Sequence, residues 1–209
     1  MTKQDIEQAY GRIRPYIRVT PVVDVEARGF GTPGPVNLKL EFMQHAGSFK
    51  PRGAFNRALS GPIPAAGLIA ASGGNHGAAV AFVGLTLGCP AEVFVPTISP
   101  PSKVKRLRDY GAVANVVGGD YVEALAASMK RAAETGARIV HAYDQVETLA
   151  GQGTVALEWE RQRPDLDTVL VAVGGGGLAG GMAAWYEGRV RLVAVEPEEA
   201  PSLAEALRA

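Results

Sequence analysis

The sequence predicts an α/β protein built on an open parallel sheet. Three observations carry this. From residue 67 onward a short apolar run, a glycine-containing turn and a longer helical segment follow one another repeatedly, as they do in β-α-β units. Glycines at 88, 111 and 136 stand just after helical segments, where a left-handed residue ends a helix. Two glycine-rich stretches, 72–77 and 174–177, fall directly after apolar runs, and open α/β sheets bind ligands beyond the carboxyl ends of their strands.

Taken in order, Val36 to Glu41 reads as a strand and Pro51 to Leu59 as a helix whose first turn contains Lys50. Gly67 to Ala71 is the next strand, followed by a helix over Gly77 to Leu87 whose small residues suit close packing on a sheet. Glu92 to Val95 and Val113 to Val117 are strands on either side of a helix from Lys103 to Tyr110. Asp120 is placed to cap a helix with Val122, Leu125, Ala126 and Met129 on one face, ending at Gly136. Strands at Arg138 to His141, Thr168 to Val173 and Arg191 to Val195 complete the pattern. The GPIPAAG segment, residues 61–67, is the best linker candidate, and a second boundary falls near Tyr143.

Composition narrows the function classes. Lys plus Arg equals Asp plus Glu at 21 each, so no net field draws in nucleic acid or an anionic membrane, and a small molecule is the expected partner. Cys89 is the single cysteine, which excludes an internal disulfide and suits a reducing cytoplasm. The first ten residues, MTKQDIEQAY, have no apolar segment behind them and do not read as a signal peptide. The uncharged stretches 58–91 and 168–186 are broken by Gly or Pro and lack the apolar density of a membrane span. His45, His76 and His141 are scattered without ligand-like spacing, so no metal site is expected. Trp159 and Trp185 sit on predicted helices as core or interface residues.

Two segments carry chemistry. Gly174, Gly175, Gly176 and Gly177 lie between a strand and a helix that opens with Leu178, so backbone N–H groups and a helix N-terminus converge on a place suited to an anion. One glycine would serve a tight turn; four in a row favour phosphate. A dinucleotide reading stays open here, because Glu196 follows at about the twenty-residue distance that ribose recognition uses. The other segment is Gly47-Ser48-Phe49-Lys50-Pro51-Arg52-Gly53. Its lysine stands at a helix start, where a cation is disfavoured, so its amine should be more often neutral and able to attack an aldehyde.

EFMQHAGSFKPRGA, residues 41–54, resembles the segment around the Schiff-base lysine of the threonine/serine dehydratases, pyridoxal-phosphate enzymes of the tryptophan-synthase-β fold type. Ala71-Ser72-Gly73-Gly74-Asn75-His76-Gly77 resembles their substrate-carboxylate loop, Gly151-Gln152-Gly153-Thr154 their GQGT turn, and Gly174 to Gly177 their phosphate cup. The resemblance implies that Lys50 carries pyridoxal phosphate and later takes the Cα proton. It implies that Phe49 packs beside the cofactor ring, that Asn75 bonds its 3′ oxygen, and that Gly174 to Gly177 with Leu178 hold its phosphate. Ser72, with Gly73, Gly74, Asn75 and His76, would hold the substrate carboxylate. The implied reaction is β-elimination of L-threonine or L-serine to a 2-oxoacid and ammonia, in a homodimer. The implied fold has a large lobe, residues 1–65 and 142–209, and a small inserted lobe, residues 66–141. Members of the family continue well beyond a position like Ala209, so a chain truncated at its C-terminus is expected.

Other activities of the same fold stay open, including serine racemase and threonine synthase, as does a nucleotide-binding module without covalent chemistry. Racemases of the family have a second serine after the carboxylate-binding one, where this chain has Gly73. Glu196 matches the first cation ligand of those relatives, whereas Ser202 stands where their aspartate is expected.

Overall fold

A computed structural model describes residues 1–209. The chain opens on α1, Lys3–Ile13, fixed by a capping box: Asp5 N–H donates to Thr2 Oγ1, and Thr2 N–H donates to the Asp5 carboxylate. Ile6, Ala9 and Ile13 form its buried stripe. A strand not foreseen from the sequence, β1 at Val22–Val25, pairs antiparallel with β2 at Val36–Lys39, Val22 opposite Lys39. The strand expected to reach Glu41 stops at Lys39, because a short 3-10 turn over Glu41–Met43 takes the chain toward α2, Lys50–Ala58.

A four-stranded parallel sheet in the order β5-β4-β3-β6 follows, made of β3 Leu68–Ala71, β4 Ala91–Val95, β5 Val113–Val116 and β6 Arg138–Ile139. Leu68 lies opposite both Ala91 and Arg138, and Leu68–Ala71 is buried throughout, as a central strand of a covered parallel sheet is. Its crossovers are α3 Asn75–Leu87, α4 Pro101–Asp109 and α5 Tyr121–Thr135. Gly88 and Gly136 take the left-handed conformation after α3 and α5, at φ 65° and 73°. Helix α4 starts two residues ahead of expectation, since a proline in the first turn sacrifices no hydrogen bond.

Two expectations are corrected. Asp120 does cap α5, with its Oδ1 accepting the Glu123 N–H at 2.9 Å, but the face that packs is Ala124, Ser128 and Ala132. Val122 is 69% and Met129 54% exposed. The positions set most closely against the sheet are small; Leu125 keeps partial contact with the core, whereas Val122 and Met129 turn outward. The GQGT segment is no turn: residues 151–154 lie inside α6, Val146–Gln162. Its glycines serve helix contacts, for a Cβ on Gly151 would meet the Arg52 carbonyl at 2.5 Å and one on Gly153 the Gly181 carbonyl at 2.8 Å.

The remaining strands, β7 Thr168–Ala172 and β8 Arg191–Val195, pair parallel around α7, Gly177–Tyr186, and a short α8, Ser202–Ala206, follows. β7 does not pair with β2. Between them runs a cleft of about 720 Å³ lined by Leu38, Leu40, Val155, Leu170 and Met182, with Leu170 70% exposed. No helix is long and apolar enough to cross a membrane.

Candidate functional site

Lys50 is the first residue of α2, and its side chain is largely buried. Its Nζ donates to the Ala142 carbonyl at 2.8 Å and lies 5.1 Å from the centre of the Phe49 ring. Burial lowers its pKa from 10.5 to about 8. The direction is the one expected from the sequence, and its cause is desolvation on burial. At pH 7 about one amine in ten is then neutral, against roughly one in three thousand for a solvated lysine.

The helix carrying Lys50 is anchored by the next cation along. Arg52 is fully buried; its Nε and Nη2 donate to Glu41 at 2.8 and 2.7 Å, and its Nη1 and Nη2 to Glu158 at 3.2 and 3.0 Å. Lys39 bonds Glu158 from the other side. This network ties α2 to α6 and to the end of β2, so Lys50 projects from a rigid base.

The 72–77 loop leaves the carboxyl end of β3. Ser72 Oγ accepts the Gly74 N–H at 3.1 Å, and Asn75 is exposed at the first position of α3. Only glycine fits at 77, where a Cβ would stand 2.0 Å from the Ser72 carbonyl oxygen. The early N–H groups of α3 find no acceptor within the helix. His76 is buried, and its Nε2 donates to the Val140 carbonyl at 2.8 Å; desolvation pushes its pKa down to about 3, so the ring is neutral. Its imidazole is thus engaged with the sheet, which leaves its backbone N–H for any ligand at the loop.

The glycine loop leaves the carboxyl end of β7. Gly176 is left-handed at φ 80° and caps α7, while Leu178 and Phe49 pack against the same core cluster. A Cβ on Gly175 would fall 2.2 Å from the Tyr143 ring, and one on Gly177 2.9 Å from the Tyr143 Cβ.

These contacts expose what sequence reasoning missed. Val140 takes His76, Ala142 takes Lys50, and Tyr143 lies on Gly175 and Gly177, so the four residues after β6 join all three motifs. The sequence read Arg138 to His141 as a strand and placed a boundary near Tyr143; β6 ends at Ile139, and the stretch after it carries the contacts. Its contribution rests on two carbonyls and one ring contact, none of which leaves a periodic or compositional signal. The other histidines are structural: His45 stacks on Phe82 and His141 closes a turn. Glu196 accepts the N–H groups of Leu203 and Ala204 and so caps α8.

A partly neutral buried amine beside a glycine-walled helix N-terminus fits an aldehyde that carries a phosphate, which is the chemistry of pyridoxal phosphate. Residues 13–209 match the family described as pyridoxal-phosphate dependent enzymes. L-threonine ammonia-lyase of Geobacter sulfurreducens is 40% identical over 94% of this chain, which spans 50% of that relative. The crystal structure of the T.th. threonine deaminase superposes on the whole chain with a TM-score of 0.92 at 34% identity, 69% of that protein being covered. Maize serine racemase gives a TM-score of 0.90 at 33% identity, covering 98% of this chain and 64% of that one. The chain therefore spans about half to two thirds of the proteins it resembles, and it belongs to the family of pyridoxal-phosphate-dependent enzymes.

Proposed function

We propose that the full-length protein removes ammonia from L-threonine or L-serine, giving a 2-oxoacid: the β-hydroxyl leaves as water, and a water molecule is taken up again when the product is hydrolysed. The observation that carries this reading is the junction at residues 140–143, which gathers the Lys50 amine, the 72–77 loop and the glycine loop at one place. When bound, the cofactor supplies an electron sink for negative charge at the substrate Cα. Lys50 would hold it through Nζ and would be the base that takes the Cα proton at the same atom. The N–H groups of Gly174 to Gly177 and of Leu178 would hold the phosphate, Phe49 would pack beside the ring, and Asn75 would bond its oxygen. Ser72 and the backbone N–H groups of Gly73 to His76 hold the substrate carboxylate, turning the Cα–H bond toward Lys50. We read residues 66–141 as a small lobe inserted into a large one, and the protein as a cytoplasmic homodimer. The even charge balance and single cysteine support that setting.

A second reading, amino-acid racemisation, is favoured by the likeness to serine racemase. Gly73 has no side chain to return a proton from the opposite face. A hydroxyl does lie nearby: Ser99 Oγ is 2.8 Å from where a Cβ on residue 73 would stand. Racemisation by this chain would have to run through such a group, and L-to-D conversion lost in Ser99→Ala would establish it. Borohydride reduction of the cofactor-loaded protein followed by peptide mapping tests the attachment itself. Label on Lys50 is expected, and label on another lysine would overturn the assignment.

A further inference from the structure

β6 is only two residues long, and beyond Val140 no ladder holds the chain. Side chains hold it instead. Gln145 accepts the His141 N–H at 2.9 Å and donates to the Ile139 carbonyl at 3.3 Å. The ring of His141 then closes the turn: its Nδ1 accepts the Asp144 N–H at 2.9 Å and the Tyr143 N–H at 3.3 Å. Two donors on one ring nitrogen require a lone pair there, so the single proton of the ring sits on Nε2. Inside the turn are Ala142, whose carbonyl takes Lys50 Nζ, and Tyr143, which meets the His141 ring edge-to-face at 4.7 Å and covers Gly175.

Resting on the reading of Lys50 as the attachment point, we propose that neutral His141 is a positioning residue: it holds the 141–144 turn closed, setting the Ala142 carbonyl on Lys50 and the Tyr143 ring on the glycine cup, and its protonation opens the turn and weakens cofactor binding. A proton on Nδ1 would face two N–H donors, so both bonds would be lost at once. The groups facing His141 are Lys50 from α2, His76 from α3, and Tyr143 and Asp144 from its own turn, with Tyr121 of α5 beyond Tyr143. Burial lowers the His141 pKa, the Asp144 carboxylate raises it, and the Lys50 cation lowers it again.

Lys50 also gains a proton in acid, so wild type alone does not isolate the effect. His141→Asn does, because its amide oxygen can accept the same two N–H groups without titrating. In the full-length protein, pyridoxal phosphate affinity is read from the visible absorbance of the bound cofactor between about pH 4.5 and 8.5, the acid end lying below the ordinary histidine range because burial lowers the His141 pKa. Binding by His141→Phe should be about tenfold weaker at the alkaline end, the size of a lost buried hydrogen bond. On the acid side wild type should lose affinity more steeply than His141→Asn, by about one proton. Should His141→Phe fail to fold, that second comparison decides alone. A His141→Phe affinity within about twofold of wild type, or identical acid limbs for wild type and His141→Asn, would overturn the inference. Borohydride mapping of the wild type separates the two levels. Absence of label on Lys50 removes the attachment reading and this inference together, whereas label on Lys50 with unaltered His141 variants removes this inference alone.

Discussion

Replacing Lys50 with methionine should stabilise the cofactor-free protein at neutral pH. The folded chain holds this amine mostly out of water, and its pKa falls from 10.5 to about 8 as a result. At about 1.4 kcal/mol for each tenfold, the buried charge costs roughly 3 kcal/mol wherever it is fully protonated in both states. Losing the bond to Ala142 returns about 1 kcal/mol of that, so Lys50→Met should gain about 2 kcal/mol. For a chain of this size that is a rise in Tm of roughly 4–8 °C. The pH dependence follows from the proton count. Between about pH 8 and 10.5 the unfolded state binds more protons than the folded one, so wild-type stability climbs through that window. The advantage of Lys50→Met should therefore be complete below about pH 8, gone at about pH 9.5, and reversed to a deficit of about 1 kcal/mol by about pH 10.5, where only the lost bond to Ala142 counts. Urea unfolding of both proteins at a series of pH values measures the gap directly, other titrating groups cancelling in the difference. A variant no more stable than wild type at pH 7, or a gap that does not narrow with rising pH, would refute the claim that Lys50 is held against its own solvation.

The Arg52 network and the glycine cup make two further predictions. Arg52→Ala leaves Glu158 buried with only Lys39 for compensation and strips the partly buried Glu41 of its cation, and should lower stability by about 3–5 kcal/mol in urea unfolding. A loss below about 1 kcal/mol, the worth of an exposed pair, would show that the network does not anchor α2. Gly175→Ala forces a methyl into the Tyr143 ring and should cost about 1–3 kcal/mol, whereas Gly174→Ala, with nothing within 4 Å, should leave folding stability unchanged. Adding Tyr143→Ala to Gly175→Ala should recover most of the loss in a double-mutant cycle, and strict additivity would contradict the contact.

What the sequence made legible was whatever repeats locally. The β-α-β alternation, the Asp120 cap, Gly88 and Gly136 all follow from rules spanning a few residues, and each stands where the rules place it. Lys50 and the glycine loop stood out because several small residues flank a reactive or anion-binding group. The failures share a cause, which is long-range packing. GQGT reads as a turn because glycine usually marks one, yet Gly151 and Gly153 are small so that α2 and α7 can approach α6. On α5 only Leu125 of the stripe named by size packs against the core; Val122 and Met129 turn outward, and Ala124, Ser128 and Ala132 are the residues buried there. Arg52 meets Glu158 across 106 residues and Lys50 meets Ala142 across 92, distances at which no spacing rule operates.

The proposed elimination at Lys50 is put to the test by adding L-threonine and L-serine to the full-length protein loaded with pyridoxal phosphate, and measuring 2-oxoacid beside the same assay on Lys50→Ala. Oxoacid and ammonia in equal amounts from the wild type, and none from Lys50→Ala, is the expected outcome. Turnover by Lys50→Ala near the wild-type rate, or a wild type that carries the cofactor on Lys50 yet yields D-amino acid without oxoacid, would contradict it.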